Sequence, residues 1–388
     1  MSDHASPAWA REDAFPLKPQ ESDYGFRDQR GKLTPFDTLK ELKDYLSAGK
    51  GKLAWVWVPE HDRLVAPEEI PDLAVALKKR RALLALDDSE AGRKGLLIFG
   101  LALLYFTYRA LTTGGWDALG SSQNIGIGAI LLLLFGVKPW WDGYRGQREI
   151  KETTPESIVQ EIPEARFELW LGSQTSRLTT LLCGLIIVVY LVQFLTKGIA
   201  EAGLVKKAYA AGEWWRLYTG SFLHGNILHL GMNLSALWYL GRRTEILARW
   251  PHLINVFLLS IFGSGWATIT WIPAGTSVGV SGAVCGLLGF LLVFETLHRP
   301  LVPSPARKRL LGLVASLVVI GLFGYRFIDN AAHLGGLITG AIYAVIVFPK
   351  SASLSRPHIL KQDRILGGIA LALVILFALA AIRIMLTS

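Results

Sequence analysis

Cysteine is almost absent from this 388-residue sequence: Cys183 and Cys285 both lie inside apolar runs. Two such residues give no disulfide framework and no cysteine-based metal spacing. The N-terminus, MSDHASPAWA, is polar and has no short apolar run ahead of a cleavage site. No signal peptide is expected, and internal helices must direct insertion. From about Gly95 onward charge becomes scarce, leaving apolar runs of about 17–25 residues, the length that crosses a hydrocarbon core of about 30 Å. No inverted repeat or pair of interrupted helices is found, which argues against a secondary transporter.

What the chain does contain is apolar side chains, 51% of the total, with a mean hydropathy of +0.36 and a net charge of +9. The basic residues cluster at the ends of the apolar runs. That pattern sets membrane topology and does not build a phosphate-binding face, so no nucleic-acid partner is expected. The fold class expected is an all-α polytopic membrane protein preceded by a small α+β cytoplasmic region. Residues 1–90 form that region, with 1–25 too rich in proline and charge to order. Within it Thr34–Ala48 reads as an amphipathic helix capped near Thr34, Lys52–Val58 as a strand, and Glu68–Ala82 as a second helix. Residues 1–94 show no catalytic motif, and a regulatory or partner-binding role in the cytoplasm is the expectation for them.

Nine apolar runs follow, at 95–111, 124–139, 178–196, 223–240, 253–272, 281–297, 310–324, 333–348 and 366–386. The first two make a pair of additional spans within 91–141, and 142–177 reads as a cytoplasmic linker. With the N-terminus in the cytoplasm, the inner loops 140–177, 241–252, 298–309 and 349–365 hold most of the loop Lys and Arg, including Arg242, Arg243 and Arg249. Loops 112–123 and 273–280 have none; loop 197–222 is the exception, with Lys197, Lys206, Lys207 and Arg216. The bias favours a cytoplasmic N-terminus.

Polar residues inside such runs are costly in lipid and are functional candidates. They are His224, His229 and Asn233 in run 223–240, Ser281 in Gly279-Val280-Ser281-Gly282, and His333 followed by Gly336 and Gly340. All three runs pass inward from the outer side. Ser281 lies 18 residues before Arg299, and His333 lies 17 before Lys350. At 1.5 Å per residue both sit about 25–27 Å above the inner charges, at matched depth just below the outer surface. His229 lies somewhat deeper, and Asn233, at i+4, shares its helix face. Gly282, Gly286 and Gly289, and Gly336 with Gly340, supply the small faces that let membrane helices approach closely. A serine hydroxyl needs a base to become nucleophilic, and His333 can act as one. Asp329 lies upstream in a loop, so a Ser–His dyad is the reading preferred over a triad. Asn233, His229 and the Ser281 backbone N–H at a helix start can donate to an oxyanion.

The strings Trp215-Arg216…His224-Gly-Asn-Ile-Leu-His229-Leu-Gly-Met-Asn233, Gly279-Val-Ser281-Gly282 and Ile328-Asp-Asn-Ala-Ala-His333-Leu-Gly-Gly336 resemble the rhomboid intramembrane serine proteases, in the family's order, on the second, fourth and sixth helices of a six-helix core. The resemblance covers about 178–348. It implies Ser281 as nucleophile, His333 as general base, and His229, Asn233 and the Ser281 N–H as oxyanion donors. It further implies supporting roles for His224, Trp215, Arg216, Glu245, Gly279, Gly282 and Gly336. Substrates would be single-pass membrane proteins cut in or near the bilayer, with no metal and no cofactor. Cys285 departs from the family, many of whose members carry an aromatic residue there, under the histidine. The run 366–386 resembles the seventh helix of some members.

Singly, these residues have plainer roles: Ser281 in packing, His229 and Asn233 in interhelical hydrogen bonds, His224 in holding a loop. Competing functions are a polar conduit through a transporter, a catalytically silent scaffold of the same family, and a His-ligated metal or haem site. A silent relative would lack the serine or the histidine. His224 and His229, five apart, diverge on a helix and make a poor ligand pair.

Overall fold

The structure, a computed structural model, describes residues 6–20, 22–28, 31–49 and 53–387. It divides into two compact units: Ala8–Ser173 with Leu317–Ile328, and Gln174–Ser316 with Asp329–Ser388.

In the first unit, strands β1 (Tyr24–Asp28), β2 (Leu33–Phe36) and β3 (Leu53–Trp57) form an antiparallel sheet in the order β2-β1-β3. Lys52 of the expected strand lies outside the described residues. Phe26 pairs with Val56 across the sheet. Both are buried with Leu42 and Leu46, one turn apart on helix α1 (Leu39–Ser47). This helix starts five residues later than the expected Thr34. Pro35 holds its predecessor extended, and Thr34 pairs with Phe26 in the sheet. The cap therefore passes to Thr38, whose hydroxyl accepts from the Glu41 N–H at 3.2 Å.

The helix expected over Glu68–Ala82 is displaced too. Pro67 and Pro71 each open a single 3-10 turn, and α2 then runs from Ala74 to Ser121. No break separates the soluble region from the first apolar run; the kink comes at Gly115, at φ +65°. The returning limb is α3 (Gln123–Leu132), a π-helical turn at Leu133–Val137 and α4 (Lys138–Glu152). A side chain at Gly92 would overlap the backbone of Trp140, and one at Gly95 the carbonyl of Phe135.

The expected linker 142–177 is instead helical, comprising the rest of α4 and α5 (Pro155–Ser173). From α5, Arg166 donates to Glu69 Oε2 at 2.7 Å and to the Arg11 carbonyl at 3.1 Å, with its guanidinium 4.6 Å from the Phe15 ring centre. Residues 6–20 and 22–25, expected to be disordered, are thus anchored and partly regular. Phe15 finds a buried surface that composition alone does not reveal. Residues 1–5 lie outside the described residues.

The second unit holds α6 (Arg177–Thr196), α7 (Ile227–Ala248), α8 (Trp250–Trp271), α9 (Ser281–Leu297), the first part of α10 (Ser304–Phe323), α11 (Asn330–Val347) and α12 (Lys361–Thr387). Among the described residues six helical segments are long and apolar enough to cross a membrane: Pro71–Leu119, Gln123–Glu152, Arg177–Thr196, Trp250–Trp271, Asn330–Val347 and Lys361–Thr387. Ser281–Leu297 is apolar but shorter. The other two expected spans are α7, which carries Arg242, Arg243 and Glu245, and α10, which carries Arg307, Lys308 and Arg309. The chain is an all-α polytopic membrane protein with a small strand-containing N-terminal region.

α7 also overruns the expected loop 241–252, ending at Ala248. Arg243 is consequently no loop charge. It is fully buried and donates to both Glu295 oxygens, at 2.5 and 3.0 Å, and to the Ala306 carbonyl at 3.3 Å. Arg243→Ala and Glu295→Ala are each expected to cost about 3–5 kcal/mol by stranding the remaining charge, while Arg243→Met with Glu295→Leu regains most of it. Thermal unfolding in detergent measures this, and a single variant as stable as the wild type would contradict it.

Candidate active site

α9 and α11 run the same way and touch backbone to backbone. A Cβ on Gly336 would overlap the carbonyl oxygen of Gly282, and one on Gly340 that of Gly286. This contact brings the first residue of α9 against the fourth of α11. Ser281 Oγ and His333 Nε2 are 2.8 Å apart. For the imidazole to accept from the hydroxyl, its proton must sit on Nδ1. Nδ1 is buried and has no hydrogen-bond partner among the described residues.

The loop entering α9 is shaped by Gly279, at φ +120°. A side chain there is excluded by the backbone and by its neighbours: a Cβ would stand 2.8 Å from His229 Cε1, 2.9 Å from Nε2 and 3.6 Å from Asn233 Nδ2. His229 and Asn233 therefore lie against the turn that leads into Ser281. The Nδ2 of Asn233 is buried without a hydrogen-bond partner among the described residues, so it is a donor available to an oxygen in that space. Asn226 caps α7 by accepting from the His229 N–H at 2.9 Å.

His224 is completely buried beside them, its ring edge-on to His229 at 5.1 Å between centres. Its backbone is clamped at both ends by Gln193, which accepts from the His224 N–H at 2.8 Å and donates to its carbonyl at 2.6 Å. Arg216, on the segment between α6 and α7, donates to Glu213 at 2.6 Å and to the carbonyls of Ala200 and Gly203 at 2.9 Å. The neighbouring Trp215 packs edge-on to Trp214. Glu245 caps α6, accepting from the N–H groups of Leu178 and Thr179 at 3.0 and 2.8 Å. Cys285 is buried within α9. Ser281 lines a small cavity together with the polar Ser221, Ser264, Thr268, Ser277 and Asp329 and the apolar Leu204, Leu217 and Val278.

Two features of this site are not evident in the sequence. Gln193 is a polar residue in an apolar run, the same signal that picked out His229, but its position near the end of α6 makes it read as an interfacial residue. Asp329 reads as a loop acid, yet it is the N-cap of α11, accepting from the Ala332 N–H at 2.9 Å. Its other oxygen accepts from Thr268 and Ser277, both at 2.5 Å. Ser277 belongs to β5 (Thr276–Ser277), which pairs with β4 (Leu204–Val205). Next to β4, burial pushes the Lys206 ammonium below the ordinary lysine range, and the Asp329 charge opposes part of that shift.

Comparison with known proteins agrees with this architecture. The Rhomboid domain model matches residues 211–350. Rhomboid protease GlpG of Yersinia pestis (strain Pestoides F) is 31% identical over 200 residues, 48% of this chain and 69% of that protein. Rhomboid protease GluP of Bacillus subtilis (strain 168) is 33% identical over 152 residues, 38% of this chain and 29% of that protein. RHOMBOID-like protein 4 of Arabidopsis thaliana is 32% identical over 154 residues, 40% of this chain and 38% of that protein. The chain thus spans less than half the length of the Arabidopsis and Bacillus relatives, while the stretch matched by the domain model contains Arg216 to Gly340. A match over more than two thirds of a relative at this identity leaves one conclusion: the chain belongs to the rhomboid family.

Proposed function

We propose that this protein is an intramembrane serine endopeptidase that cleaves single-pass membrane proteins in or near the bilayer. The observation that carries the reading is the 2.8 Å separation of Ser281 Oγ and His333 Nε2 at the start of two apolar helices.

In this reading Ser281 Oγ attacks the scissile carbonyl carbon while its proton passes to His333 Nε2. Negative charge develops on the carbonyl oxygen and is met by Asn233 Nδ2, the His229 ring and the Ser281 N–H. Each such donor is typically worth about 3–4 kcal/mol of barrier. The C–N bond then breaks, the imidazolium returns its proton to the leaving amine, and water, activated by the same base, hydrolyses the acyl-enzyme. With Asp329 engaged by Thr268, Ser277 and Ala332, the pair works as a dyad. The chemistry asks for no metal or cofactor.

The distribution of Lys and Arg supports a cytoplasmic N-terminus. The bacterial relatives support the inner membrane of a bacterium as the location. Residues 1–94 are the natural place for a cytoplasmic partner to bind.

The test uses the purified full chain in proteoliposomes with a single-pass substrate. The protein is expected to cut the substrate in or near its span, and a fluorophosphonate is expected to stop cleavage and add its mass to the peptide containing Ser281. Modification at another residue, or cleavage that survives stoichiometric labelling, would refute the reading.

A further inference from the structure

Capping α11 needs one side-chain acceptor, and Asn or Ser would serve as well as Asp. Asp329 does more. One oxygen takes the Ala332 N–H, and the other takes two hydroxyls at 2.5 Å, the length of charge-assisted O–H···O bonds. The three partners come from three elements. Ala332 adjoins His333 on α11, Thr268 is in the last turn of α8, and Ser277 lies on β5, four residues before Ser281. The loop that carries Ser277 contains Gly275 and Gly279, both at positive φ, and β5 is only two residues long. Such a segment has little stiffness of its own.

We propose that Asp329 is a positioning residue for the Ser281–His333 dyad: its carboxylate ties the loop before the nucleophile, the end of α8 and the first turn of α11 into one arrangement, and so keeps hydroxyl and imidazole at reacting distance. The charge of Asp329 also acts on the buried Lys206. Asp329 acts on the dyad indirectly. Its effect passes through Ser277 to Ser281 and through the helix start to His333. The inference rests on the protease reading.

Asp329→Asn keeps the capping oxygen but loses the charge and the second acceptor. In proteoliposomes it is expected to lower kcat by roughly 10²-fold, the scale set by a misplacement of about 1 Å, while KM stays within a few-fold. The rate at which a fluorophosphonate labels Ser281 should fall by the same factor, because that reagent needs the dyad and no substrate site. A merely structural role would instead lower Tm and leave the folded fraction labelling at the wild-type rate, and that result would overturn the proposal. If Asp329→Asn does not fold, Thr268→Val and Ser277→Ala decide. Each leaves the cap intact and should slow labelling several-fold, Thr268→Ser should restore most of the loss, and wild-type labelling in both would overturn the proposal. Absence of labelling at Ser281 in the wild type would overturn the protease reading and this inference together; wild-type labelling matched by Asp329→Asn would overturn the inference alone.

Discussion

Ser281→Ala and His333→Ala should each reduce substrate cleavage by on the order of 10⁴-fold or more, and the double variant should be no worse than either alone. The reason lies in the 2.8 Å contact between Oγ and Nε2. Without the imidazole the hydroxyl has no acceptor for its proton, and without the hydroxyl there is no nucleophile to activate. Residues that act as one unit give strongly non-additive losses. In the proposed mechanism what would remain is binding and oxyanion stabilisation by Asn233 and His229, a residual of about 10³–10⁴ over water in serine hydrolases of other folds. Both substitutions shorten a side chain in the first turn of a helix and leave the backbone contact between α9 and α11 untouched, so thermal stability should be nearly unchanged. Single-turnover cleavage in proteoliposomes reads the effect. Activity within tenfold of wild type in either variant is incompatible with the dyad.

Gly340→Val should be the most damaging change to the core itself. A Cβ at this position overlaps the carbonyl oxygen of Gly286, and Gly286 in turn has the Ser260 side chain against its other side. No rotamer relieves a clash between a Cβ and a backbone carbonyl, so α9 and α11 must separate. Overpacking typically costs about 1–3 kcal/mol where side chains can yield; here they cannot, and the upper end of that range or more is expected. Separation by about 1 Å would also carry His333 out of reach of Ser281, at a cost of roughly 10² in rate. Gly184→Ala on α6 is the matched control, since nothing lies within 4 Å of its Cβ position; there the gain in helix propensity, roughly 0.5–1 kcal/mol, is the only change expected. Melting temperatures and cleavage rates of the two variants, measured side by side, test the contrast. Equal behaviour would mean that the helices are not in backbone contact.

The contact of Ser281 with His333 was legible because a bilayer penalises polar side chains. Ser281, His333, His229 and Asn233 stand out from their runs, and counting residues to the inner charges put Ser281 and His333 at matched depth with His229 somewhat deeper. The glycines of α9 and α11 were legible as a close-approach surface for the same reason: in lipid, small residues are kept where backbones meet. The hidden features are those whose meaning depends on a partner far away in sequence. Arg243 reads as one more inner-loop arginine until Glu295 is seen beside it, although an acid near the end of the apolar run 281–297 was itself a signal. Thr34 and Thr38 are equally good caps on paper, and it is the sheet that claims the first. The segment 142–177 is polar enough for a linker, and Glu69, Phe15 and the Arg11 carbonyl, all far away in sequence, explain what Arg166 is for. Asp329 has the look of a solvated loop acid because nothing local reveals that two hydroxyls from α8 and β5 converge on it.

α2 has one further consequence. From Ala74 to Gly115 it is an uninterrupted rod of roughly 60 Å at 1.5 Å per residue. Leu77, near its base, is part of the buried core that holds Phe26 and Val56, and its distal half is among the stretches apolar enough for lipid. With no break between those two ends, the core under the sheet and the apolar stretch share one continuous helix, so a rotation of that helix about its own axis would be felt at both.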